Sequence, residues 1–134
     1  MSESPALRGI RVLLVDDDED TREIIERGLA RRGAEVVAVP SAPAGLLRFA
    51  EQRFHVLLVD IMMPGMDGYE FMRKIRALPP EEGGRVPAAT LTARAVTDDR
   101  MQSLLAGFQS HVKKPVDADE LAHVVATLAG RATE

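Results

Sequence analysis

The chain is predicted to fold as one α/β domain, a doubly wound five-stranded parallel sheet in the order 2-1-3-4-5. Three observations predict it. Apolar runs alternate five times with stretches of helical periodicity. The two strongest runs, Val12-Leu13-Leu14-Val15 and Val56-Leu57-Leu58-Val59, are continuous, as in strands covered by helices on both faces. Both runs stop on aspartates: Asp16, Asp17 and Asp18 after the first, Asp60 after the second. Open α/β sheets place their chemistry just beyond the carboxyl ends of their strands. Right-handed crossovers then put helices on both faces, and the first and third strands become neighbours where the winding reverses.

The elements follow in order. Gly9 to Val15 is the first strand. Asp18 caps a helix from Glu19 to about Arg32, with acidic residues in its first turn, Arg31 and Arg32 in its last, and Gly33 beyond it. Ile24, Ile25, Gly28 and Leu29 should face the sheet. Ala34 to Val39 is the second strand. Ser41 caps a second helix to Gln52, with Pro43 tolerated in its first turn and Leu46, Leu47 and Ala50 as its buried stripe. Phe54 to Asp60 is the third strand, and Pro64-Gly65 turns the chain into a helix from Gly68 to Ala77, with Phe71, Met72 and Ile75 inward. Leu78 to Gly84 is a polar loop, and Val86 to Leu91 the fourth strand. Thr97 or Asp98 starts a fourth helix through Ala106, whose Met101, Leu104 and Leu105 are either core or a partner surface. Phe108 to Lys113 is a polar edge strand. Asp117 opens the last helix, with Leu121, Val124, Val125 and Leu128 inward.

Composition bounds the function. The 134 residues are read as one domain over 1–134, with its core over about residues 10–130. A net charge of -4, from 17 basic and 21 acidic side chains, leads us to expect no DNA partner. There is no run of membrane-spanning length and no apolar N-terminal leader, so no membrane association and a cytoplasmic location are expected. Cysteine is absent, which removes disulfides and thiolate metal sites.

The predicted topology gathers Asp16, Asp17, Asp60, Thr92 and Lys114 at one sheet edge. A lone aspartate after a strand is ordinarily a turn or cap residue. Several converging carboxylates repel one another and call for a cation. Oxygen ligands without His or Cys suit Mg2+ or Mn2+. Phosphoryl transfer to a carboxylate needs a nucleophilic oxygen and positive charge around the transferred group. Asp60 fits the nucleophile, Lys114 the charge and Thr92 a hydrogen-bond donor. Asp18 and Asp20 are read as capping or solvated. A Rossmann nucleotide site is disfavoured, because DDDEDT lacks the glycine-rich turn and would repel a phosphate.

These residues resemble the receiver domain of two-component response regulators. The likeness runs from about Ile10 to Leu128 and rests on VLLVDDDED at 12–20, VDIMMPGMDGYE at 59–70, LTA at 91–93 and KP at 114–115. It implies a flavodoxin-like fold with Asp60 as phosphoacceptor. Asp16 and Asp17 correspond to the acidic pair around Mg2+, Asp17 the more direct ligand, with the Met62 backbone carbonyl as a further one. Thr92 corresponds to the switch hydroxyl, and Lys114 to the lysine that contacts the phosphoryl group. The Lys114-Pro115 bond is typically cis in such domains. The rotating switch residue, usually Tyr or Phe, is His111 here. Its imidazole either fills the same half-buried slot or tunes the switch by its charge. Met62 and Arg94 stand where the family tunes phosphoryl lifetime.

The resemblance further implies a histidine kinase or histidine phosphotransfer protein as donor. It implies action through a downstream protein target, through a homodimer formed by the fourth helix, fifth strand and fifth helix, or as an intermediate in a relay. The chain is expected to be a stand-alone phosphoacceptor, not an enzyme with a foreign substrate. A phosphorylation-independent binding module of the same fold and a receiver cut from a hybrid histidine kinase are the alternatives. A Mg2+-dependent aspartyl phosphatase fares worse, since no inserted cap is visible and Met62 occupies the acid-base position.

Overall fold

The computed structural model describes residues 6–93 and 103–131. The elements are β1 (Arg11–Val15), α1 (Glu19–Ala30), β2 (Glu35–Val39), α2 (Ala42–Glu51), β3 (Val56–Asp60) and α3 (Gly68–Arg76). A 3-10 turn at Pro80–Glu82, β4 (Ala88–Thr92), helical residues 103–106 (α4), β5 (Ser110–Lys113) and α5 (Ala118–Leu128) complete it. The strands pair in the order β2-β1-β3-β4-β5, every pair parallel, as predicted. The predicted start of the fourth helix at Thr97 or Asp98, with Met101 and Arg94, lies outside the described residues.

The continuous apolar runs are explained by two cores. Leu13, Val15, Leu57 and Val59 face one core with Phe49, Phe71, Met72 and Ile75 of α2 and α3. Val12, Leu14, Val56 and Leu58 face the other with Ile25, Leu29, Leu121 and Val125 of α1 and α5. Alternate residues of one strand serve opposite layers, so polar positions have no place in it. Each such side chain, fully buried, contributes about 1.5–3 kcal/mol.

Helix starts follow their caps. Asp18, Ser41 and Asp117 accept backbone N–H bonds from their own first turns, as predicted. Asp67 adds a reciprocal capping box with Glu70 that fixes the start of α3.

Three expectations about facing are corrected. Ile24 is 57% exposed, because it lies 100° around α1 from Ile25, and only Ile25, Gly28 and Leu29 reach the sheet. Leu47 is 69% exposed and Ala50 is also exposed; the buried face of α2 is Ala42, Gly45 and Phe49, with Leu46 at its margin. Gly45 lets α2 settle closely, since a Cβ there would stand 3.0 Å from both Phe71 and Val15 side chains. On α5, Val124 and Leu128 are only partly buried, and Ala122 and Ala126 fill the interior beside Leu121 and Val125.

The ladders also start later than predicted, and α1 ends at Ala30, two residues before Arg32. Ile10, Ala34, Phe54, Val86 and Phe108 are buried, yet precede their strands. They plug the lower edge of the cores from loops, so burial there does not report sheet pairing.

Candidate functional site

Asp16 directly follows β1, Asp60 and Thr92 end β3 and β4, and Lys114 directly follows β5. The sheet order brings these ends together. One carboxylate oxygen from each of Asp16, Asp17 and Asp60 lies within 4.8 Å of the others. The Lys114 Nζ stands 3.0 Å from Asp16 Oδ2 and 3.6 Å from Asp60 Oδ2.

Both buried carboxylates are fixed on two sides. The Asp18 N–H donates to Asp16 Oδ1 at 2.9 Å, and the Met62 N–H donates to Asp60 Oδ1 at 3.2 Å. Their other oxygens face Lys114. The Arg22 guanidinium donates to the Asp16 carbonyl at 2.8 Å, a buttress that residue type and spacing did not single out. Asp18 is turned away to cap α1, bonded to the N–H and hydroxyl of Thr21, and those bonds lower its pKa.

The loop after β3 folds back tightly over Asp60. The Gly68 N–H donates to the Ile61 carbonyl at 3.1 Å, and a Cβ on Gly68 would stand 2.5 Å from the Asp60 carbonyl oxygen. Gly65 takes a φ of 79° in the turn. Met62 is 54% exposed at the mouth of the site. On the other side, the Lys114 N–H donates to the Thr92 carbonyl at 2.7 Å, and the Lys114-Pro115 bond is cis, as expected. Thr92 is buried at the same edge.

Burial pushes the Asp60 carboxyl up to about 7, reinforced by the Asp16 charge and a hydrogen bond to Asp17 and opposed by Lys114 and the Met62 N–H. Burial alone would lower the Lys114 ammonium, but its contacts with Asp16 and Asp60 outweigh this and raise it. One ammonium thus faces Asp16 and Asp60, and Asp17 adds a third carboxylate to the cluster. Like charges about 4 Å apart repel by roughly 4 kcal/mol at an effective dielectric of 20. The remaining negative charge and the all-oxygen donor set fit a hard divalent cation.

His111, on β5, is half-buried and lies opposite Thr90 of β4. The Thr90 Oγ1 and His111 Nδ1 are 2.6 Å apart, and Thr90 is fully buried. Thr90 was not singled out from the sequence. The available signal was a hydroxyl inside AATLT, which, once buried, needs a partner.

A groove of about 970 Å³ lies at the opposite edge of the sheet, lined by Phe49, Phe54, Ile75 and Val86 among others, and none of the expected site residues borders it. No helix among the described residues is long and apolar enough to cross a membrane.

Comparison with known proteins agrees with this architecture. Residues 12–126 match the model of the response regulator receiver domain. The chain is 40% identical over 114 residues to an uncharacterized 14.6 kDa protein of Leptolyngbya boryana, covering 85% of this chain and 86% of that one. It is 37% identical over 119 residues to the transcriptional regulatory protein YrkP of Bacillus subtilis, covering 88% of this chain and 49% of that one, so it spans about half of that relative. Relatives named as transcriptional regulators give no support to the expected absence of a DNA partner. Among solved structures, the receiver domain of the sensor histidine kinase PA1611 from Pseudomonas aeruginosa superposes with a TM-score of 0.82 at 34% identity, covering 91% of this chain and 98% of that one. That structure has a magnesium ion coordinated in its active site cleft. By fold and by sequence, the chain belongs to the response regulator receiver domain family.

Proposed function

We propose that this receiver is a phosphorylation switch with Asp60 as its phosphoacceptor. The observation that carries the reading is the convergence of the Asp16, Asp17 and Asp60 carboxylates, with the Lys114 ammonium set against Asp16 and Asp60. A histidine kinase or phosphotransfer protein supplies the phosphoryl group. An Asp60 carboxylate oxygen attacks phosphorus, the bond from phosphorus to the donor imidazole nitrogen breaks, and the imidazole leaves with the electron pair. Lys114 holds positive charge beside the oxygens of the transferred group, and the Thr92 hydroxyl donates to one of them. Asp16, Asp17, Asp60 and the Met62 carbonyl would hold Mg2+ or Mn2+, which would supply positive charge beside the phosphoryl oxygens. Water returns Asp60 to the free carboxylate slowly, as signal decay and not as turnover of a foreign substrate.

Phosphorylation adds charge at the sheet edge. Thr92 and His111 shift, and the surface formed by α4, β5 and α5 changes what it binds, either a downstream protein or a second copy. The chain works in the cytoplasm. A second reading, a receiver serving a hybrid histidine kinase, draws on the PA1611 receiver, a part of a sensor kinase. Incubation with Mg2+ and acetyl phosphate tests both readings. We expect a labile mass gain of about 80 Da, absent in Asp60→Asn and absent without metal. No gain with either metal or with purified phosphohistidine donors would overturn the proposal.

A further inference from the structure

We propose that the buried hydroxyl of Thr90 is the positioning group for His111, holding its imidazole against β4 and so setting the resting position of the switch. Thr90 and His111 are register partners in the β4–β5 ladder, and their side chains meet at 2.6 Å between Oγ1 and Nδ1. A strand points alternate side chains to one face, so Thr90 shares its face with Thr92 two residues on. Thr92 is the register partner of Lys113, and its carbonyl accepts the Lys114 N–H at 2.7 Å. The bonded pair therefore sits on the same two-strand ladder that carries Thr92 and Lys114 to the site.

The chemistry fixes the ring in a way a phenyl group could not be fixed. A hydroxyl donates to or accepts from Nδ1, and either arrangement sets the tautomer and the ring plane together. Buried hydroxyls are costly when unbonded, so the pair holds Thr90 and His111 mutually. A bond of this kind biases a two-position equilibrium by roughly 2- to 12-fold. A ring held in its resting position opposes the repacking that accompanies modification, so loosening it shifts the balance between resting and switched states at the site. The positioning half of the inference stands alone; the coupling half rests on Asp60 being the phosphoacceptor.

The test uses the full chain labelled with 15N, at one fixed pH, in wild type, Thr90→Val and Thr90→Ser. Long-range correlations report the imidazole nitrogens, with His111→Phe assigning the His111 signals and exposed His123 as the solvated reference. Thr90→Val should move the His111 nitrogens toward the His123 pattern, and Thr90→Ser should leave them as in wild type. The rate of modification by acetyl phosphate should change by about threefold or more in Thr90→Val, as the population of the resting state changes, and be restored in Thr90→Ser. Thr90→Ala removes the same hydroxyl should the valine variant not fold. Unmoved His111 nitrogens would overturn the positioning role. Moved nitrogens with an unchanged rate would overturn the coupling. A wild-type chain that takes no phosphoryl group would sink the proposed function, while the nitrogen pattern would still decide the positioning.

Discussion

The Lys114 ammonium lies 3.0 Å from Asp16 Oδ2, an oxygen on a residue with no exposed surface. It is the cation that the described structure places against Asp16 and Asp60 together. Removing one member of a buried pair leaves the other charge uncompensated. Lys114→Met should therefore destabilise the metal-free protein at pH 8 by roughly 3 kcal/mol, measured by urea denaturation. Saturating Mg2+ should recover much of the loss. Equal stability with and without the lysine would show that the carboxylates are solvated instead.

The Asp60 carboxyl gives the metal-free protein a defined pH dependence. Its folded pKa is raised from 3.8 to about 7, first by burial. The folded state therefore binds more protons than the unfolded state between those values. Stability is present below the unfolded pKa and is lost as pH rises through about 7. Asp60→Asn, which cannot ionise, should be more stable than wild type at pH 8 and nearly equal at pH 4. Parallel stability curves for the two proteins, without metal, would contradict the raised carboxyl.

Asp17 and Asp18 are neighbours with separate tasks. Asp18 accepts the Thr21 N–H at 3.2 Å and caps α1. Asp18→Ala should lower the melting temperature and leave Mg2+ affinity within about twofold of wild type. Asp17→Ala should weaken Mg2+ binding about tenfold or more with little effect on the metal-free melting temperature. Calorimetric titration separates the two, and equal losses in both variants would sink the assignment.

Gly68 ties loop geometry to the site. A Cβ there would press to 2.5 Å against the Asp60 carbonyl. The neighbour is backbone and cannot swing aside. Gly68→Ala should cost about 1–3 kcal/mol by overpacking and slow acetyl phosphate modification, because the displaced loop carries the Met62 N–H that holds Asp60. Unaltered stability and rate would show that the loop yields freely.

Much of this was legible because the strands announce themselves. Asp16 and Asp60 could be placed from VLLV runs that stop abruptly, and strand order then made them neighbours. Lys114 and Thr92 were placed at the same edge by their strand-end positions, and the resemblance then added their roles as phosphoryl contact and switch hydroxyl. Thr90 was missed because a threonine in a strand reads as β propensity, and its partner lies 21 residues away on another strand. Ile24 and Leu47 were misassigned because packing sets how far the buried stripe of a helix extends: adjacent Phe71 and Met72 of α3 are both buried, whereas Ile24 of α1 and Leu47 of α2 fall outside their stripes, and composition does not say which case applies. The early strand starts had the same root: Phe54 and Phe108 are as apolar as ladder residues but bury from loops.

The phosphoacceptor itself is the most direct point to check. After incubation with Mg2+ and acetyl phosphate, borohydride reduction converts an aspartyl phosphate to homoserine, which tandem mass spectrometry locates in the sequence. Homoserine at position 60 is the predicted result. Homoserine at position 16 or 17, or none anywhere in a protein that binds Mg2+, would contradict Asp60 as the acceptor.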